Sequence, residues 1–310
     1  MIVVWIAAVL VLLFVVALFV VYDICFSGNK RHMGDERDLP KGEQYVPYHD
    51  VITRCVDRVM ADSYEEVSVF SHDGLKLYGR YYQRRDNAPL IIFFHGYRCS
   101  TLRDGNGIFL YSKTLHYNIL LVDQRVHGKS EGKTISFGIK ERYDCFSWVE
   151  WAQQRFGMDV QIILAGLSMG AATVLMTANM GLPKNVKGIM ADCPYSSPKA
   201  VIRKVIKDMN FPVGLVYWLA KHAARWIGKF DLEETSAVEA VRESKIPILI
   251  IHGDDDRFVP CTMSQECFQA CKGNVELVLV EGAGHGMSHC VDTRKYEDAA
   301  LAFFRKTLGE

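Results

Sequence analysis

Ile162-Ile163-Leu164-Ala165-Gly166-Leu167-Ser168-Met169-Gly170-Ala171-Ala172 is the stretch that decides the fold. Its first four residues form an unbroken apolar run, the pattern of a strand buried on both faces. From 171 to 180 the spacing turns helical. A chain that passes from strand to helix across one serine must bend sharply, and glycine on each side relieves crowding where the backbone is tight. With 24 glycines in 310 residues the pattern can arise by chance, so its context has to decide. Here a strand precedes the serine and a helix follows it. That helix aims its N-terminus at the serine and favours negative charge there.

Similar short apolar runs lie on either side, at Leu90–Phe94, 119–122, 188–191, 248–251 and 277–280. Helical stretches at Glu141–Phe156 and 292–308 alternate with them. Val67, Val69, Leu75, Leu77 and Tyr81 alternate around His72-Asp73-Gly74, a hairpin signal. Strand and helix in alternation predict an α/β fold, a mostly parallel sheet flanked by helices. About 55 residues between Asp192 and Ile248 break the rhythm, and their apolar spacing predicts a helical insertion, a candidate lid.

A serine hydroxyl is a weak nucleophile and needs a base, which in turn needs an orienting acid. Gly284-His285 follows the run at 277–280, and His252-Gly253-Asp254-Asp255-Asp256-Arg257-Phe258-Val259-Pro260 follows the run at 248–251. Both lie beyond strand C-termini, where open α/β sheets bind ligands. His285 is the candidate base. Any of the three adjacent aspartates can supply the acid. An oxyanion site needs two backbone amides, and Met169 and Tyr97 are the candidates, the latter from the His95-Gly96-Tyr97-Arg98 loop.

Together these motifs resemble the α/β-hydrolase family, its serine-aminopeptidase-like and esterase branch, over roughly residues 65–308. The resemblance rests on His95-Gly96-Tyr97, the loop Asp123-Gln124-Arg125-Val126-His127-Gly128-Lys129-Ser130, the Ser168 turn, His252-Gly253 with Asp256 and Val259-Pro260, and Gly284-His285. It implies a Ser168–Asp256–His285 triad, with Asp256 as the acid and Asp254 and Asp255 as its rivals. It also implies a loop-stabilising role for Asp123, Arg125 and His127. The family often has glycine where this chain has Val126, a departure expected to be harmless. His95 and His252 read as structural hydrogen-bonders, Cys99 and Cys193 as packing, and His289 is given no role. The reaction implied is hydrolysis of a carboxylic ester through an acyl-enzyme. A peptidase, thioesterase or acyltransferase is the alternative, and a non-catalytic binder on the same fold comes last. An aminopeptidase would need an acidic site for the substrate ammonium. No cofactor is called for.

Residues 1–22 carry no charged side chain. As a helix they span about 33 Å, enough for the hydrocarbon layer. No basic side chain precedes the run and no small-residue cleavage site follows it, so 1–24 reads as a transmembrane anchor rather than a signal peptide. Residues 25–64 read as a linker or lead-in, and 65–310 as the hydrolase domain with its insertion at about 197–245. Lys30, Arg31, Arg37 and Lys41 follow the anchor and put the domain on the cytoplasmic side. Nine cysteines, an odd number without metal-site spacing, agree with a reducing compartment.

Lysine plus arginine equals aspartate plus glutamate at 36 each, which gives no global pull toward nucleic acid. The expected partners are an ester or acyl substrate and a membrane. Between 198 and 229 the balance differs. Lys199, Arg203, Lys204, Lys207, Lys221, Arg225 and Lys229 face one acid, Asp208. The run reads either as a solvated helix face or as a surface turned toward an anionic leaflet.

Overall fold

The computed structural model describes residues 1–29, 35 and 37–309. Lys30 and Arg31, part of the orientation argument, lie outside the described residues. Eight strands form one sheet: β1 (Glu65–Phe70), β2 (Lys76–Tyr82), β3 (Leu90–Phe94), β4 (Asn118–Asp123), β5 (Ile162–Leu167), β6 (Val186–Asp192), β7 (Ile248–Gly253) and β8 (Val275–Val280). Their order is β1-β2-β4-β3-β5-β6-β7-β8. The β1–β2 hairpin and the β2–β4 pair are antiparallel and the remaining pairs parallel. Each apolar run named above lies within a strand.

The centre of the sheet is buried on both faces. In β3, Leu90, Ile92 and Phe94 point into one core layer and Ile91 and Phe93 into the other. The first layer is covered by α5 (Glu141–Phe156), α6 (Met169–Met176) and α10 (Thr262–Ala270). The second is covered by α2 (His49–Met60), α4 (Asn106–Leu115) and α12 (Thr293–Leu308). Between α2 and α4 lies the short α3 (Thr101–Asp104).

The insertion is helical, as its spacing suggested. It holds α7 (Pro198–Asp208), α8 (Val213–Ala223), a π-helical turn Ala224–Gly228 and α9 (Ala237–Val241). Part of its basic excess is neutralised within the insertion, since Lys199 and Lys221 pair with Glu233 and Lys204 with Asp208.

The N-terminal run forms α1 (Ile2–Cys25). Among the described residues it is the one helix long and apolar enough to cross a membrane. Its C-terminal half is seated on the domain. Phe14 lies against Trp218 and Trp226, with ring centroids 5.6 and 5.9 Å away. Leu18 is buried, and Phe26 packs edge-on against Phe137 and Phe230. The Tyr22 hydroxyl is 2.6 Å from Thr134 Oγ1, and the Ile135 amide donates to the Phe26 carbonyl at 2.8 Å.

Candidate active site

β5 delivers Ser168 at the sheet's C-terminal edge, with φ 55° and ψ −112°. A serine seldom adopts such a backbone, and the strain is tolerated because both flanks are fixed. The Ser168 amide donates to the Asp192 carbonyl at 2.8 Å on β6. A Cβ on Gly166 would collide with the Gly170 backbone, and one on Gly170 with the Phe94 carbonyl. The glycine pattern is therefore a demand of close packing: α6 starts directly against β3.

The three residues named for the triad converge. His285 Nε2 lies 2.9 Å from Ser168 Oγ, and His285 Nδ1 lies 2.6 Å from Asp256 Oδ2. Asp256 is held from the other side as well. Its Oδ1 accepts the amides of Phe258 at 2.9 Å and Val259 at 2.8 Å, and its Oδ2 is 3.1 Å from His252 Nε2. Burial works against the ionised carboxyl. It is outweighed by the hydrogen bonds from His252 and His285, which hold Asp256 below the usual carboxylate range. His252 Nε2 faces two acceptors, Asp256 Oδ2 and the Val259 carbonyl at 2.8 Å, so this nitrogen carries the hydrogen. Ser264 then donates to His252 Nδ1 at 2.6 Å. The neighbouring aspartates are engaged elsewhere: Asp254 accepts the Gly282 amide at 2.7 Å, and Asp255 pairs with the exposed Arg257.

The loop after β3 is clamped. The Gly96 amide donates to Asp104 Oδ2 at 2.7 Å and the Arg98 amide to His127 Nε2 at 3.0 Å. Between them, the Tyr97 amide has no protein partner among the described residues, and neither does the amide of Met169 at the first turn of α6. Burial keeps the imidazoles of His95 and His127 below their ordinary range. His95 Nε2 accepts the Gln124 amide at 3.2 Å. Arg125 forks onto Asp144, with both bonds at 2.6 Å, and reaches Asp73 at 3.0 and 3.1 Å. These side chains brace the loops. Val126 has φ 79°. A β-branched residue in that region costs about 1–3 kcal/mol, so the departure at this position carries a steric cost.

A cavity of about 190 Å³ opens at Ser168 and His285. Tyr97, Phe93, Leu167, Phe258 and Met287 line it from the body, and Pro40, Tyr45 and Ile52 from the lead-in. No residue of the insertion lines it. The candidate lid thus packs on α1, while the stretch expected to serve as a tether covers the site. Weak periodicity around 37–48 concealed that role. The sequence reading passed over two cavity residues, Arg103 and Asp104, and gave a third, His289, no role. Arg103 and Asp104 form an ion pair at 3.1 Å, and Asp104 ties down Gly96. His289 comes within 3.6 Å of Glu297, and a side chain at Gly107 would crowd it. Its spacing of four residues from His285 was the available signal. Asp192 lies behind Ser168, and burial pushes its carboxyl up to about 7.

Cys193, Asp256 and His285 place potential ligand atoms within 4.8 Å of one another. Asp256 and His285 already bond each other, and burial pushes the Cys193 thiol up, which keeps it protonated. The second such group, His72, Asp73 and Asp144, has both carboxylates on Arg125.

Comparison with known proteins completes the description. The model of the prolyl oligopeptidase family matches residues 136–310. The uncharacterized protein YqkD of Bacillus subtilis is 25% identical over 262 residues, 82% of this chain and 86% of its own. The bifunctional esterase/perhydrolase DCH of Acinetobacter calcoaceticus is 24% identical over 276 residues, 76% of this chain and 99% of its own. An esterase from Pyrococcus furiosus superimposes with a TM-score of 0.67 at 23% identity, covering 81% of this chain and 93% of its own. The fold is that of the α/β hydrolases.

Proposed function

The chain belongs to the prolyl oligopeptidase family, and from that premise we propose that it is a membrane-anchored serine hydrolase of carboxylic esters. The observation that carries the reading is the unbroken relay Ser168 Oγ–His285–Asp256, with separations of 2.9 and 2.6 Å. Ser168 attacks the ester carbonyl, and His285 Nε2 takes its proton and then passes it to the leaving alcohol. Asp256 keeps the imidazole hydrogen on Nδ1 and stabilises the imidazolium as it forms. The amides of Tyr97 and Met169 receive the oxyanion. Water, activated by the same histidine, releases the acyl group.

Esters are preferred to aminoacyl substrates because of how the cavity's carboxylates are used. Asp104 is paired with Arg103, Asp192 is buried, and Asp256 serves the histidine. None is available to a substrate ammonium. The family's name supports peptide hydrolysis as the second reading. The anchor reading rests on α1, whose first thirteen residues are mostly more than half exposed despite their apolarity. The positive-inside asymmetry favours a cytoplasmic domain.

A fluorophosphonate probe and paired substrates test the proposal. The full chain should label, and Ser168→Ala should abolish labelling and lower ester turnover by about 10³-fold or more. Labelling that survives the substitution overturns the nucleophile. Faster turnover of aminoacyl arylamides than of p-nitrophenyl esters transfers the assignment to the peptidase.

A further inference from the structure

We infer that the aromatic face formed by α8 and the π-helical turn that follows it is a second membrane-contacting element, inserted into the near leaflet alongside α1. The inference rests on the anchor reading and extends it to the insertion. Leu215, Trp218, His222 and Trp226 follow one another at steps of three and four residues and form a single stripe. The His222 ring sits between the two indoles, 4.3 Å from Trp218 and 5.1 Å from Trp226. Leu215, Trp218 and Trp226 are 58, 46 and 50% exposed. Phe14 of α1 touches both indoles, so the stripe continues the exposed apolar surface of the anchor.

The length of α1 sets the depth. From Met1 to Phe14 the helix rises about 20 Å, and a hydrocarbon layer of about 30 Å is completed about seven residues later. If α1 spans, groups touching Phe14 lie about 10 Å inside the near boundary, at the deep end of the range over which amphipathic interfacial helices bury their apolar faces. Indoles contribute large apolar area there. Three of the seven lysines and arginines expected to face an anionic leaflet are paired with acids of the insertion. The contact is therefore carried mainly by apolar area, with charge as a smaller contribution.

The experiment uses the full chain in phosphatidylcholine vesicles on a Trp5→Phe background, which removes the anchor's own indole. Flotation reports membrane association, and fluorophosphonate labelling of Ser168 reports folding. Lipids brominated midway along the acyl chain should quench emission more than lipids whose bromine lies beside the headgroup ester or near the terminal methyl. That quenching should disappear in Trp218→Phe/Trp226→Phe. A chain that floats and labels yet is indifferent to bromine leaves the anchor reading standing and overturns this inference. Strongest quenching near the terminal methyl, or a dimer in detergent that Trp218→Ser/Trp226→Ser dissociates, overturns it too. Failure to float removes the anchor reading, and this inference with it.

Discussion

The corner around Ser168 and the contact between α1 and α8 lie on one domain and are built by opposite means. At the corner, directed bonds fix each part: two amides and His252 on Asp256, Asp104 on Gly96, His127 on Arg98. Where α8 meets α1 the contact is made by rings and methyl groups, and among the described residues no polar atom sets its register at Phe14, while Lys221 and Tyr217 tie α8 to Glu233 of the insertion. A bonded corner loses its arrangement when one atom changes, because the remaining partner is left buried and unpaired. An apolar contact loses area in proportion to what is removed. The two regions should therefore respond very differently to small substitutions.

The largest departure is expected from Asp256→Asn. The amide keeps the shape but offers His285 a donor or a poorer acceptor, which disfavours the required tautomer. Ester turnover should fall by about 10²–10⁴-fold with labelling by the probe correspondingly slowed. A loss of less than tenfold would move the orienting role to another group.

Next in size is Tyr97→Phe, which joins the two regions. The Tyr97 hydroxyl donates to the Cys25 carbonyl at 2.9 Å, at the last turn of α1, while the Tyr97 amide is a proposed oxyanion donor. Removing this bond should lower kcat about five- to tenfold, the worth of about 1 kcal/mol, with KM little changed. Deleting residues 1–27 should reproduce that loss and leave nothing further for Tyr97→Phe to remove. Additive losses would show that helix and loop act separately.

A smaller effect concerns stability against pH and contrasts two carboxylates of the corner. Burial raises Asp192 from an ordinary 3.8 to about 7, so its neutral form adds stability that is complete below pH 3.8 and lost as pH rises toward about 7. Asp256 is lowered, so its contribution is present above 3.8 and lost as pH falls. Asp192→Asn should accordingly flatten the decline of Tm between pH 4 and 7, measured by thermal unfolding in detergent. An unchanged slope would assign the decline to other groups. The smallest effect is expected for Asp255→Asn, whose pair with Arg257 is exposed and screened by solvent. Turnover should stay within about twofold.

The same contrast governs what could be read from the residues alone. Gly166 and Gly170 are legible because a Cβ at either would strike backbone, that of Gly170 and that of Phe94 respectively. The strands are legible because burial on both faces forces continuous apolar runs. The aspartate trio is different: spacing alone treats Asp254, Asp255 and Asp256 alike, and the family resemblance was needed to single one out. In the structure the amides of Phe258 and Val259 engage Asp256 alone. The partner of α8 was not legible either. Its indoles meet Phe14 some two hundred positions away, and apolar periodicity states that a face is buried without naming what buries it. Nor did residues 37–60 announce that they cover the cavity, since Pro40 and Tyr45 stand outside any periodic element.

Under the proposed ester hydrolysis, that covering stretch bears on which acyl groups fit. A cavity of about 190 Å³ is smaller than the ~300–1,000 Å³ typical of sites for drug-sized ligands. With Pro40, Tyr45 and Ile52 in place, only a short acyl group is enclosed. A fatty chain requires Pro40 and Tyr45 to swing aside, so chain-length selectivity would reside in the stretch ahead of α2, outside the sheet and its helices. Exchanging that segment between relatives would carry acyl preference along with it and leave the bond-breaking apparatus untouched.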